Sequence, residues 1–152
     1  QNVVDYLNNE GYKVVQISKE KYSSSFETTK LPGNKQIKNV IDATGLSMED
    51  TVNYLSHCEL YLGVSSGLAW LSWSMKTPVV MISGFSSEWT EFTTNVKRVI
   101  NKNVCNSCFN NYRLDAGDWN WCPAHKGTPR HFECTRKISS EDVIKCTVDY
   151  LV

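Results

Sequence analysis

Four of the six cysteines fall in one stretch, Cys105, Cys108, Cys122 and Cys134, spaced C-x2-C-x13-C-x11-C. A Cys-x-x-Cys pair puts two thiols on one tight turn, and two more distant cysteines can complete a tetrahedron, as expected for structural zinc or mononuclear iron. The same residues allow two other chemistries: a redox dithiol centred on Cys105 and Cys108, or unconnected thiols and disulfides. His125 and His131 lie in the same stretch as substitute ligands. With four protein ligands no coordination position stays open, so such an ion is structural and not catalytic. Thiolate ligation further implies a reducing compartment, hence the cytoplasm. His57, Cys58 and Cys146 have no sequence partner for chemistry and read as structural groups.

A second constellation is Ser65-Ser66-Gly67, between the apolar runs Leu60–Val64 and Gly67–Met75. If the first run is a strand and the second a helix, this turn sits at a strand's carboxyl end. There the free amides and dipole of the helix start favour an anion such as a phosphate. The plainer alternative is that small residues merely let the turn close, since the full glycine fingerprint of a dinucleotide site is missing. Downstream, the loop Ser83–Trp89 occupies a second strand end. Glu88 and Glu91 there are either ribose ligands or solvated carboxylates.

The elements that must place these groups follow from pattern. Leu60–Val64 and Val79–Ile82 lack period-two alternation, so both are read as strands of a parallel sheet covered on both faces, joined through the helix Gly67–Met75 into a βαβ unit. That helix is interrupted only by Ser72 and Ser74 and should be covered beyond its sheet side, by a partner domain, another subunit or an extended local loop. Upstream, a helix over Gln1–Asn9 is capped by Gly11, and strands are expected over Tyr12–Ile17 and Ile37–Ile41, separated by a polar loop over Ser18–Asn34. Asp42-Ala43-Thr44-Gly45 turns the chain into a helix opened by Ser47-Met48-Glu49-Asp50 and reaching about His57, with Met48, Val52 and Leu55 on its apolar face. Val96–Ile100 gives a further strand. A closing helix starts at Ser139 or Ser140 and carries Val143, Ile144, Val148 and Leu151.

At 152 residues, with 16 basic and 16 acidic side chains, the chain suits one α/β domain and offers no net field for nucleic acid or an anionic membrane. No apolar run approaches the roughly 20 residues of a membrane helix. An opening helix with no strand before it leads us to expect that an upstream strand, and with it a further domain, precedes this sequence. The roughly thirty residues between the last strand and the last helix, 103–137, lack periodicity and need something to pin them.

Taken together, Leu62-Gly63-Val64-Ser65-Ser66-Gly67-Leu68-Ala69-Trp70-Leu71, Pro78–Phe85, Cys105-Asn106-Ser107-Cys108, Gly117–Pro123 and Thr128–Thr135 resemble ADP-heptose-using glycosyltransferases, most closely the bacterial autotransporter heptosyltransferases. The resemblance covers most of the chain from about Asn39, and its cysteine and tryptophan block is the most specific part. It implies the C-terminal half of a GT-B fold: a Rossmann-like, doubly wound parallel sheet that holds an ADP-sugar, with an inserted four-cysteine lobe. It further implies an iron ion on Cys105, Cys108, Cys122 and Cys134, a diphosphate turn at Ser65, Ser66, Gly67 and Leu68, and assembly into a large homo-oligomer. Heptose would pass to serine hydroxyls of autotransporter adhesins, and the catalytic base would lie in an N-terminal domain, leaving this portion inactive alone. The wider heptosyltransferases usually carry Asp and Thr at the positions of Ser65 and Ser66 and His at that of Trp70, and their phosphate-binding lysine has no counterpart here. Alternatives are a lipopolysaccharide-type heptosyltransferase with another donor or acceptor, and a metal-stabilised interaction module without catalysis.

Overall fold

The computed structural model describes residues 1–19, 21, 37–118 and 120–151, and its chain divides into two units, 1–57 and 58–152. The first unit opens with α1 (Asn2–Asn9). It ends in a Schellman arrangement: Gly11 takes φ +88°, its amide bonds to the Asn8 carbonyl, and the Tyr12 amide reaches back to Leu7. Two strands follow, β1 (Val15–Ser18) and β2 (Ile41–Thr44), parallel and in register from Val15 opposite Ile41 to Ser18 opposite Thr44.

Both strands start later than the pattern suggests, and the expected turn at Asp42-Ala43-Thr44 is strand. The reason is local. Asp42 accepts hydrogen bonds from the Thr44 amide (3.0 Å) and hydroxyl (2.7 Å), so its turn-forming side chain is satisfied inside the strand. Ala43 and Thr44 are buried while Ile41 stays exposed, and the chain turns only at Gly45, with φ +69°. The polar loop expected over Ser18–Asn34 lies mostly outside the described residues, as does Trp119.

Helix α2 (Met48–Ser56) begins as its capping sequence requires: Ser47 Oγ accepts from the Asp50 amide at 3.1 Å and donates to the Asp50 carboxylate. Its inward face is Thr51 and Leu55; Met48, expected in the core, is 71% exposed. The spacing from Met48 is helical, but a first-turn residue lies beyond the end of the packed face.

In the second unit β3 (Tyr61–Val64), β4 (Val79–Ile82) and β5 (Val96–Val99) form a parallel sheet in the order β3-β4-β5. Val64 stands opposite Ile82, and Ile82 opposite Val99. Val79, Val80 and Met81 are all fully buried, and because successive side chains point to opposite faces, both faces of β4 are covered. Helix α3 (Gly67–Ser74) packs on β3 and β4, and α5 (Ser140–Leu151) packs on β4 and β5. Ser139 caps α5 through the Asp142 amide. The core joins Ala69, Val79, Met81 and Phe92, with Tyr61, Trp73 and Val96 packed against it.

Extra cover on α3 comes partly from a local loop: Phe92 stacks on Trp73 (5.1 Å, 15°) and meets Trp70 edge-on (5.1 Å, 82°). Trp70 nevertheless remains 44% exposed. Between β5 and α5 the described residues of the cysteine lobe include an isolated bridge, Phe109 with Tyr112, and the single-turn α4 (Glu133–Arg136).

Candidate functional site

The carboxyl ends of β3 and β4 are neighbours, so the two loops that leave them lie side by side. On β3, Tyr61 lies over Gly63: a Cβ there would come within 2.5 Å of the Tyr61 hydroxyl oxygen. Glycine therefore lets the ring lie flat along its own strand, and the phenol engages the side chain of Ser66. Ser66 is the N-cap of α3 by backbone, accepting from the Ala69 and Trp70 amides, yet its hydroxyl does not cap the helix. A Cβ on Gly67 would meet nothing within 4 Å. The start of α3 is thus open on its outer side, with no capping side chain competing for its first-turn amides. A phosphate oxygen can approach such a surface.

Beside it runs the loop 83–92. Ser83 and Ser86 are buried, Glu88 and Trp89 exposed. Glu91, a ribose candidate by sequence, is instead turned inward. Its side chain is 4% exposed and paired with Arg98, itself 8% exposed, which also donates to Ser83 Oγ (3.1 Å) and the Phe92 carbonyl (3.1 Å). Nothing in the β-strand pattern of Val96–Ile100 marks Arg98; an arginine inside a covered strand was the one available signal.

In the cysteine lobe no thiol is in a disulfide. Cys122 and Cys134 are buried, Cys105 and Cys108 half-buried. Burial pushes the Cys105 thiol up to about 11, with further contributions from Glu133 and from Cys134 and Cys108. Cys108 is raised by burial and then by Cys134 and Cys122. All four sulfurs thus lie within electrostatic reach of at least one other, and none is half of a disulfide. The tightest ligand group is different from the four-cysteine set: Cys105, His125 and Glu133 bring ligand atoms within 4.8 Å of one another. His131 is directed instead to the Asn120 carbonyl (3.1 Å) and lies against Phe132.

Glu133 is the residue that spacing did not reveal. It is 3% exposed, receives Arg130 Nε at 3.0 Å and the Cys105 amide at 3.3 Å, and Arg130 holds its carboxyl down to about 2. The four cysteine sulfurs form no such ligand group among the described residues; as free, partly buried thiols they offer the donor chemistry that a soft ion takes.

Residues 1–115 match the model of glycosyltransferase family 9 (heptosyltransferase). The chain belongs to glycosyltransferase family 9. Among family 9 relatives it is 42% identical over 145 residues to the autotransporter heptosyltransferase Aah of Escherichia coli, covering 93% of this chain and 36% of Aah. It is 39% identical to the autotransporter heptosyltransferase TibC of Escherichia coli O78:H11, covering 93% of this chain and 34% of TibC. It is also 43% identical, over 96 residues and 62% of this chain, to the inactive autotransporter heptosyltransferase BimC of Burkholderia thailandensis, of which those residues make up 22%.

The solved structure of TibC, a bacterial iron-containing dodecameric glycosyltransferase, superposes with a TM-score of 0.85 at 37% identity, over 98% of this chain and 39% of that one. TibC in complex with ADP-D-β-D-heptose gives 0.82 at 35%, again over 98% of this chain and 39% of that one. The α/β architecture with parallel sheets is therefore that of a family 9 heptosyltransferase. The chain spans about a third of the length of the curated relatives it matches. The family model stops at residue 115, before Cys122 and Cys134, but an alignment over 93% of the chain necessarily runs through the cysteine lobe. No helix among the described residues is long and apolar enough to cross a membrane.

Proposed function

We propose that this chain is the donor-binding part of an autotransporter heptosyltransferase, the C-terminal half of a GT-B enzyme that moves heptose from ADP-heptose to serine hydroxyls of an autotransporter adhesin. The single observation that carries the reading is the open start of α3 beside the β3 carboxyl end, in a fold whose relative TibC was solved with ADP-heptose. On this reading Ser65, Ser66, Gly67 and Leu68 receive the diphosphate. As the glycosidic bond breaks, negative charge grows on the β-phosphate. Amides fixed at the helix start stabilise it without reorganising and without a divalent ion. The acceptor and its base come from the remainder of the protein.

Cys105, Cys108, Cys122 and Cys134 hold iron, with zinc as the alternative; the ion when bound supplies cross-linking of the lobe and no reaction step. Support comes from the free thiols and from the relative described as iron-containing. Assembly into a homo-oligomer rests on the dodecameric relative, and a cytoplasmic location on the reduced cysteines.

The test is Gly67→Asp in the full-length protein, with Gly67→Ala as control. A Cβ on Gly67 meets nothing within 4 Å, so both variants should fold. The aspartate places a carboxylate where phosphate must sit, and calorimetry should show ADP binding lost in the first variant and kept in the second. Equal affinity in both would refute the assignment. Identity to the inactive BimC favours a second reading, in which the fold and its nucleotide site persist without transfer. Binding of ADP with no sugar transfer to any adhesin would select it.

A further inference from the structure

The loop that leaves β4 next to the proposed diphosphate turn is gripped by the cysteine lobe. Ser107, inside the Cys105–Cys108 turn, donates its amide to the Gly84 carbonyl at 3.0 Å, and Phe109, directly after Cys108, donates to the Phe85 carbonyl at 2.8 Å. The Phe85 and Phe109 rings meet edge-on at 5.7 Å. Gly84 is pressed against the last cysteine: a Cβ would come 2.4 Å from Thr135 Oγ1 and 3.1 Å from both the Cys134 carbonyl carbon and the Thr135 nitrogen. The lobe groups that meet Gly84 and Phe85 are all within one residue of Cys108 or Cys134.

Gly84 and Phe85 are only two and three residues beyond Ile82, whose strand partner Val64 immediately precedes Ser65. A shift of the lobe moves this loop, and the loop borders the donor edge. We propose that the cysteine lobe is a positioning element for the donor site: closing the four cysteines on one ion fixes the Ser107 and Phe109 amides and the Cys134–Thr135 backbone, and these set the 83–92 loop beside Ser65–Gly67. Gly84 is the positioning residue of this contact. The inference rests on the donor and metal readings above and adds a coupling between them. Because coupling of two binding equilibria is reciprocal, nucleotide also tightens retention of the ion.

The experiment uses full-length protein, metal-loaded and chelator-stripped under reducing conditions, with ADP as the probe. Calorimetry reads affinity and hydrogen exchange reads the 84–92 amides against those of β3 and β4. Stripping should weaken ADP binding at least tenfold and speed exchange in 84–92 while β3 and β4 stay protected. Loaded Gly84→Ala should retain its ion yet reproduce the affinity loss and the faster exchange. Phe85→Ala, which disturbs only the ring contact, should give a smaller loss of the same kind. If stripping exposes the strands as well, the loaded variants decide.

Affinity within twofold of wild type in stripped protein, or in loaded Gly84→Ala, overturns the coupling. Loaded wild type that fails to bind ADP overturns the donor reading, and wild type that holds no ion on intact cysteines overturns the metal reading. Either of those takes this inference with it.

Discussion

Replacing Arg98 by Met tests how the loop beside the proposed donor edge is held from its other side. Arg98 projects from β5 and is 8% exposed; it pairs with Glu91, 4% exposed, and its remaining donors serve Ser83 Oγ and the Phe92 carbonyl. Methionine keeps the apolar stem and removes the charge. The Glu91 carboxylate is then left inside the protein with no counter-charge. Breaking a buried pair from one side costs about 3–5 kcal/mol, because desolvation of the surviving ion is no longer offset. Against a total stability of roughly 5–15 kcal/mol that is a large fraction. With a urea slope of about 2 kcal/mol/M it lowers the midpoint by roughly 2 M.

Removing both charges in Arg98→Met with Glu91→Met leaves no buried ion, only the Ser83 hydroxyl and the Phe92 carbonyl short of a donor. That costs about 1–2 kcal/mol, so the double variant should be more stable than the single. Urea unfolding followed by tryptophan fluorescence is the assay, since Trp73 stacks on Phe92 next to the lost bond. Arg98→Lys, which keeps charge but loses the fork, should fall between wild type and the methionine variant. A single variant within about 1 kcal/mol of wild type, or a double variant no more stable than the single, would refute the reasoning.

Two further outcomes follow from the cysteine lobe and from the first unit. Cys122→Ser should lose bound metal and thermal stability together, checked by elemental analysis and calorimetric melting; one full equivalent of metal in the variant would remove Cys122 from the ligand set. Asp42 should titrate below its ordinary value near 3.8, chiefly because the Thr44 hydroxyl and amide bond to its charged form. A depressed folded value means the contribution is complete above the unfolded value and is lost as pH falls through the folded one. Carboxyl NMR should therefore show the midpoint rising toward the ordinary value in Thr44→Val, and an unmoved midpoint would contradict the assigned cause.

What could be read from the residues was what depends on local repetition. The unbroken β-formers Val79–Ile82 announced a strand covered on both faces, and Ser47 and Ser139 announced two helix starts, because these signals are carried within a few residues. The spacing of the cysteines names candidate ligands in the same way, while the ligand group that the structure gathers joins Cys105 to His125 and Glu133. What stayed hidden depends on contacts between distant segments. Asp42 reads as a turn residue because its side chain is a turn former, and only its pairing opposite Gln16 places it in a sheet. Glu133 and Arg98 are charged residues whose burial exists only because a partner meets each one, Arg130 for the first and Glu91 for the second. Spacing cannot show that, since the sequence displays the charge and not what neutralises it.

The same contrast applies at Ser66 and Trp70. The Ser66 hydroxyl engages Tyr61, which Gly63 allows to lie along β3. With a tryptophan at 70, the ring meets both Trp73 (5.9 Å) and Phe92 (5.1 Å) edge-on, and Trp73 Nε1 donates to the Thr94 carbonyl at 3.0 Å. These contacts draw the start of α3 onto β3 and Phe92 onto α3. Together with Arg98 and the cysteine lobe, the Trp70 and Trp73 contacts to Phe92 hold the loop after β4 at its start and its end. A loop held at that many points resists displacement as a unit, so loosening one grip should raise local exchange in 83–92 before it lowers global stability, in the order in which sub-global openings precede unfolding.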